Sequence, residues 1–359
     1  MVVAFPRFVK REDFYMGIMT VKGVIQKEEL GITVPHEHAL IDISNQYPGD
    51  RTPGSLGWDG KVSKEHYDLL MADPYALRDN LILGDKEMAI AEVDIFAKAG
   101  GRTFVDVTLG HIGRDIQFLK RLSDETGLHV VAATGFYTAD EHPGRVASMT
   151  VEELADEMVA ELTEGIDGTG IKAGIIGEIG TSMEIHEDEI KVLKASALAH
   201  AKTGAPVMVH LCPWVKNGMQ VIDILEIHGV SPAHICLCHT DVLLDIEDMK
   251  NLLKRGIYLE FDNFGKEFTQ GSAYGRFPSD EERMEVFYKL IETGYMNQIL
   301  VACDVCLKNL LTVHGGPGYG HFLLKVADMI REKCENAEEI IQAVLVDNPA
   351  RYLDNFQLD

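Results

Sequence analysis

Short apolar runs alternate along this chain with longer segments that mix apolar and charged positions. Eight of the runs are rich in β-branched residues and nearly continuous in apolar character, as in strands of a parallel sheet that is covered on both faces. They lie at 31–42, 103–108, 129–137, 173–180, 206–211, 234–240, 257–264 and 298–304. The pattern therefore predicts eight buried strands.

The segments between these runs carry helix signals. Residues 150–165 begin with Thr150 and Glu153, a capping-box pair, and end on a glycine. Comparable segments, with acidic starts and terminal glycines, lie at 85–101, 188–204 and 280–294. Strands that alternate with helices in this way predict a (β/α)8 barrel. A doubly wound open sheet is the alternative, but no G-x-G-x-x-G motif follows the first run.

The longest stretch without periodicity runs from about 43 to 84 and contains many turn-forming residues. Loops of this length after a barrel strand commonly cover the active site, so we interpret it as a lid or substrate loop. A plain surface insertion is the alternative. We expect residues 1–359 to form one barrel domain with this loop and a short N-terminal extension.

Composition narrows the possible partners and the compartment. The formal net charge of -24 repels phosphate backbones and anionic lipid, which argues against nucleic acid or membrane partners. No apolar run approaches the roughly 18 residues that span a bilayer, and the charged N-terminus does not resemble a signal peptide. The six cysteines form no secreted-type framework. We therefore expect a cytoplasmic protein with a small-molecule substrate.

Polar side chains stand near the carboxyl ends of the predicted strands, where a barrel builds its active site. The first run carries His36 and His38, two residues apart and so on one face of the strand. Later runs carry Glu178, His210, His239 and Asp304 near their ends. Burying these groups without partners would be costly, and a metal centre explains them together. Nitrogen and oxygen ligands suit Zn²⁺ first, and also Mn²⁺, Co²⁺ or Fe²⁺.

Six ligands are too many for one tetrahedral ion with an open position, so two bridged ions are predicted. One ion would take His36, His38 and Asp304, and the other would take His210 and His239. Glu178 would bridge them, and Asp304 would also carry the proton of the bridging water to the leaving group. Taken singly, each of these residues has an ordinary structural explanation, such as a core histidine, a paired carboxylate or a helix cap. Their joint placement favours the metal.

The motifs HEH, GIIGEIG, VMVHL, CLCHTD and ILVACD resemble the phosphotriesterase-like branch of the amidohydrolase superfamily. Within it, they are most similar to the phosphotriesterase-related (resiniferatoxin-binding-type) subgroup. The resemblance extends over nearly the whole chain, from GVIQKEELGITVPHEH through YLEFDNFG to GGPGYGH. It implies a (β/α)8 barrel with a binuclear metal centre and a homodimer. It also implies that His36, His38 and Asp304 hold the more buried metal, and His210 and His239 the more exposed one.

Two departures from the family pattern bear on chemistry. Phosphotriesterases proper bridge their metals with a carbamylated lysine, whereas this chain has Glu178 at that position, which argues against efficient organophosphate hydrolysis. Relatives often carry histidine where this chain has Cys303 and Cys306. Alternation along the strand predicts that Cys303 faces away from the site, while Cys306 lies beyond the strand end, near the substrate.

The motif CLCH also looks like a metal-binding sequence. Cys236 and Cys238 have the opposite strand parity to His239, however, so we expect both thiols to face the helices and not the barrel axis.

Loop residues after the strands are candidates for substrate contacts. We select Tyr137, Arg114, Asn263 and Lys308, with His111, Lys266 and Arg276 as further candidates. A basic group among them could bind an anionic substrate, although charged loop residues are commonly just solvated. The glycine-rich segment 315–321 lacks the lysine of a phosphate-binding loop and is interpreted as an ordinary loop.

The sequence as a whole predicts a metal-dependent hydrolase. A hydroxide that bridges two metals would attack the carbonyl of a lactone, a carboxyl ester or a small N-acyl amide, with Asp304 as proton shuttle. Phosphotriester or phosphoester hydrolysis is an alternative reaction. A small-molecule binding protein with a structural metal is an alternative from another class. A single-metal lyase or aldolase is a third possibility, which the predicted Glu178 bridge disfavours.

Overall fold

A computed structural model describes residues 16–49, 60–269, 275–354 and 356–357. Eight parallel strands follow one another in chain order, each pairing with the next. They are β1 (Thr33–Glu37), β2 (Thr103–Asp106), β3 (His129–Thr134), β4 (Ile175–Gly180), β5 (Val207–His210), β6 (Ile235–Leu237), β7 (Tyr258–Phe261) and β8 (Ile299–Val301). The predicted (β/α)8 barrel is confirmed.

Helices surround the strands. They are α1 (Lys86–Lys98), α2 (Ile116–Thr126), α3 (Val151–Thr163), α4 (Glu187–Thr203), α5 (Gly218–Ile227), α6 (Ile246–Leu253), α7 (Asp280–Glu292), α8 (Ala327–Lys333), α9 (Ala337–Gln342) and α10 (Asn348–Leu353). The predicted capping box of α3 is present, with Thr150 accepting from the Glu153 amide at 3.1 Å. Among the described residues, no helix has both the length and the apolar character needed to cross a bilayer.

One side chain links the first strand of the sheet, β1, to the last, β8. Glu37, the middle residue of the His-Glu-His motif, is fully buried between β1 and the chain that leaves β8. Its Oε1 accepts from the Cys303 amide at 2.9 Å, and its Oε2 accepts from the Val305 amide at 2.8 Å. Because these two amides flank Asp304, the same carboxylate links the first strand to the last and fixes the backbone of a candidate metal ligand.

The long segment after β1 is partly structured. Its base is closed where Ile41–Asp42 pairs with Ile82–Leu83, and it contains a short helix at Tyr67–Ala72. Residues 50–59 lie outside the described part of the chain, as does the predicted N-terminal extension before Met16. Two antiparallel strands, Met16–Thr20 and Gly23–Ile25, lie against the amino end of β3, where the Val21 amide donates to the Val130 carbonyl at 2.8 Å.

The prediction that Cys236 and Cys238 face the helices was wrong. Strand β6 ends at Leu237, and His239 has a φ of 58°, so regular alternation stops before the histidine. The Cys238 thiol donates to Glu260 Oε2 at 3.1 Å inside the barrel, and Cys236 lies beside it. Both thiols therefore face the interior and not the helices. Cys303, in contrast, contacts the backbone of Phe322 in the outer layer, as predicted.

Candidate metal centre

The four histidines and two carboxylates predicted as ligands meet at the carboxyl ends of the strands. Glu178 of β4 lies at the centre, and its Oε1 is 3.4 Å from His38 Nε2. Its Oε2 lies between 3.1 and 3.6 Å from ring nitrogens of His36, His210 and His239. Glu178 is therefore the carboxylate placed to contact both halves of the predicted ligand set.

Asp304 completes the cluster from the end of β8. Its Oδ1 lies 3.1 Å from His38 Nε2 and 3.8 Å from His36 Nε2, while its Oδ2 contacts the Lys266 ammonium. Burial opposes the charge of Asp304, but Lys266 and His38 hold the pKa of this carboxyl well below its usual range. Burial opposes the charge of Glu178 too, and His36 with the other histidines keeps its pKa well below normal. Both carboxyls are therefore ready to bind a cation.

Three of the histidines are oriented by a hydrogen bond at Nδ1 that leaves Nε2 facing the cluster. The partners are Glu260 Oε2 for His36 (3.1 Å), Thr108 Oγ1 for His38 (2.8 Å) and Asp262 Oδ1 for His239 (3.0 Å). Such partners fix the tautomer and the ring orientation of metal-binding histidines. None of these three partners was predicted from the sequence, although two carboxylates two residues apart in the apolar run 257–264 were a usable signal.

The cluster fits divalent cations on its own geometry. His36 Nε2 is buried and has no hydrogen-bond partner among the described residues, although it faces two carboxylates. Burial lowers the pKa of His36, but Glu178 and Glu260 outweigh it and raise the pKa to about 10. The raised pKa shows that the carboxylates make the surroundings of this imidazole strongly negative. A buried ring nitrogen that lacks a partner in such surroundings suits a metal ion.

The side chains that could hold a metal form overlapping groups. His36, His38 and Glu178 offer ligand atoms within 4.8 Å of one another, and so do Glu178, His210 and His239. The two groups share Glu178. His210 is the most exposed of these five side chains, at 14%, which agrees with the more open metal position that the resemblance implied.

A cavity of about 460 Å³ opens over the cluster. Its wall includes the aromatic side chains of Tyr75, Tyr137, Trp214, Phe268 and Phe277. The segment predicted as a substrate loop contributes Gln46, Pro74 and Tyr75. The described parts of that segment therefore lie where a substrate loop should.

Two of the four residues selected as substrate contacts line this cavity. Tyr137 places its hydroxyl 3.2 Å from His210 Nδ1, and Cys306 also lines the wall, as predicted. Asn263 reaches the cavity, but its amide nitrogen donates to Asp241 and Asp262, both at 2.7 Å.

The other two lie elsewhere, which corrects the prediction. Arg114 is paired in a bidentate manner with Glu161, at 2.9 and 2.7 Å, beside a separate cavity. Lys308 lies 2.7 Å from Asp79 and outside the cavity wall. Each of these two basic side chains pairs with a carboxylate that is distant in the sequence. No local sequence pattern reveals such a pairing.

The further candidates divide in the same way. His111 accepts from the Tyr137 amide at 3.1 Å and does not reach the metal cluster, and Arg276 forms an exposed pair with Glu282. Lys266 does line the cavity, and it contacts Asp304 directly.

Comparison with known proteins agrees with this geometry. Residues 16–353 match the phosphotriesterase family. The chain belongs to the phosphotriesterase family. Among relatives in this family, the N-acetyltaurine hydrolases of Danio rerio and Homo sapiens are each 35% identical to it, over 94% of this chain and 97% of theirs.

Solved structures superimpose closely on this chain. A resiniferatoxin-binding protein from Rhodobacter sphaeroides has a TM-score of 0.89 at 37% identity, covering 94% of this chain and 95% of that one. The phosphotriesterase homology protein from Escherichia coli, complexed with phosphate in its active site, has a TM-score of 0.76 at 29% identity, covering 90% and 99%. The resemblance inferred from sequence is confirmed. Family, relatives and ligand cluster together support a metal-dependent hydrolase.

Proposed function

We propose that this phosphotriesterase-family chain is a binuclear metallohydrolase that cleaves a small N-acyl amide. A carboxyl ester or lactone is the alternative bond. The observation that carries the proposal is the buried cluster in which two groups of ligands share Glu178. The amide is placed first because the relatives named N-acetyltaurine hydrolases are 35% identical, whereas a lactonase from Listeria monocytogenes is 27% identical with a TM-score of 0.75.

His36, His38 and Asp304 would hold one ion, and His210 and His239 the other, with Glu178 between them. When bound, two divalent ions, of which Zn²⁺ is the first expectation, supply a water that ionises near neutral pH and polarise a carbonyl group.

The chain's own groups perform the remaining tasks. The ionised Asp304 carboxylate takes up the proton of the attacking water and gives it to the departing nitrogen. The Tyr137 hydroxyl, 3.2 Å from His210 Nδ1, faces the cavity and orients the substrate carbonyl by a hydrogen bond. The aromatic wall excludes bulk water from the reacting bond and so strengthens these polar contacts.

Metal stoichiometry tests the centre. The protein is prepared without chelators, supplied with Zn²⁺ or Mn²⁺, and measured by elemental analysis. We expect two ions per chain in the wild type and one or fewer in Glu178→Gln. Asp140→Asn is the matched control, because Asp140 is a carboxylate of the same cavity that lies outside the ligand cluster, and it should retain two ions. One ion or none in the wild type would contradict a binuclear centre.

Turnover tests the reaction. We expect the metal-loaded protein to hydrolyse N-acetyl amides or lactones faster than phosphotriesters. A preference for phosphotriesters would refute the carbonyl assignment. Stoichiometric ligand binding without turnover would favour the binding-protein alternative, for which a resiniferatoxin-binding relative is a precedent. The homodimer and the cytoplasmic location stay predictions, and a mass measurement in solution tests the first.

A further inference from the structure

The wall of the cavity includes a buried lysine, Lys266. Among the described residues that line it, Lys266 is the one lysine or arginine, and its side chain is 4% exposed. Much of the remaining wall is apolar or aromatic, as at Trp214, Phe268 and Phe277. An ammonium group in such surroundings is costly to bury unless it is paired, and Asp304 is its partner.

The backbone around Lys266 is held in place. Gly265 has a φ of 85°, which favours glycine, and a Cβ there would lie 2.6 Å from Pro317. The Lys266 carbonyl accepts from Arg283 Nη2 at 2.9 Å, and its amide donates to the Asn263 carbonyl at 3.0 Å. Arg283 is fully buried. The ammonium therefore projects into the site from a rigid base.

The ammonium has donor capacity to spare. Its described polar partners are Asp304 Oδ2 and, at 3.6 Å, Cys306 Sγ. An ammonium has three N–H donors, so one of them has no partner among the described residues. The other carboxylate oxygen of Asp304, Oδ1, faces the histidines. The charge of Asp304 is therefore shared between Lys266 and a cation bound by the histidines, and does not neutralise Lys266 alone.

We propose that Lys266 binds an anionic group on the substrate, so that the substrate is an N-acyl amide whose amine part carries a carboxylate or a sulfonate. This inference rests on the proposed function. Lys266 contacts the carboxylate that serves the departing nitrogen, so an anion two or three bonds beyond that nitrogen lies within its reach. A carboxylate and a sulfonate carry the same charge, but a carboxylate is planar with two acceptor oxygens and a sulfonate is tetrahedral with three.

Three substrates with the same acyl group test the proposal. They are N-acetyl-β-alanine, N-acetyltaurine and the neutral N-acetyl-β-alaninamide. We expect the wild type to prefer one or both anions to the neutral amide. In Lys266→Met, any effect through Asp304 should be common to all three substrates. Loss of a charge-assisted contact should lower kcat/KM for the preferred anion by about 10- to 100-fold more than for the neutral substrate, largely through KM. Lys266→Arg should recover part of the loss.

The matched control is Lys308→Met, which removes a loop lysine that is paired with Asp79 outside the cavity. It should leave the ratio of anionic to neutral substrate unchanged. Equal losses on all three substrates in Lys266→Met, at unchanged metal content, would mean that Lys266 only positions Asp304, and would overturn the inference. A wild type that hydrolyses the neutral amide as well as both anions would overturn it without any variant. Hydrolysis of none of the three would instead refute the amide function itself.

Discussion

Replacing Arg283 by methionine should destabilise the barrel far more than replacing a surface arginine nearby. Arg283 lies in the first turns of α7 and is fully buried. Its Nε lies 3.1 Å from Asp241 Oδ2, its Nη1 lies 3.3 Å from Asp280 Oδ1, and its Nη2 donates to the Lys266 carbonyl. Methionine fills similar volume but leaves these three acceptors without the guanidinium.

The magnitude follows from this burial. Removing one partner of a buried ion pair costs about 3–5 kcal/mol, because the remaining charge is left uncompensated. The entropy of unfolding is roughly 2.1 cal/mol/K per residue, so for a chain of this length 3–5 kcal/mol corresponds to a fall in Tm of about 4–7 °C. Arg276→Met is the control, because Arg276 pairs with Glu282 at the surface, with side-chain exposures of 57% and 42%. It should change Tm by no more than about 1–2 °C.

The assay is thermal unfolding of the metal-loaded proteins at one scan rate, repeated at pH 7.5 and pH 5.5. Burial raises the pKa of Asp241 to about 6 even though Arg283 opposes this shift. Without Arg283 the pKa rises further, so the variant takes up a proton on Asp241 more readily as the pH falls, and the neutral acid is easier to bury. The Tm deficit should therefore shrink at pH 5.5. A deficit under about 2 °C, or one that grows at pH 5.5, would refute this reasoning.

Three further predictions concern the supports of the site. Thr108→Val removes the Nδ1 partner of His38 and should weaken metal affinity about 10- to 100-fold by titration, with Thr169→Val as control. Glu37→Gln places an NH₂ group opposite one of the two backbone amides that donate to Glu37. It should lower the free energy of unfolding in denaturant by about 2–3 kcal/mol. An unchanged free energy would show that this side chain does not hold the first and last strands together. Burial opposes the charge of Asp79, but Lys308 lowers its pKa. The ion pair of Asp79 with Lys308 therefore stabilises the fold above pH 3.8, the pKa of the carboxyl in the unfolded chain, and this contribution is lost below it. Lys308→Met should lower the free energy of unfolding by about 1 kcal/mol at pH 7, and this difference should fade under pH 3.8.

The order of the barrel and the six candidate ligands could be inferred from the sequence alone. Parallel strands buried on both faces show near-continuous apolar runs, and helices between them show caps, so both leave local signals. A histidine or carboxylate at the end of an apolar run is unusual enough to be selected without a structure. In a barrel all eight strand ends meet at one mouth, so His36 and Asp304 could be placed together although 268 positions separate them.

Only the tertiary structure decided what surrounds those ligands. The residues that orient the histidines lie in or just after other strands. The φ of 58° at His239 interrupts the regular alternation on which the wrong prediction for Cys238 rested. Among the loop cations, Lys308 is taken by Asp79, whereas Lys266 is turned into the cavity on a backbone held by Arg283. Each of these outcomes depends on which distant charge lies within hydrogen-bond reach. That is a property of the packed chain, because hydrogen bonds and ion pairs act over a few ångströms in space regardless of separation in sequence.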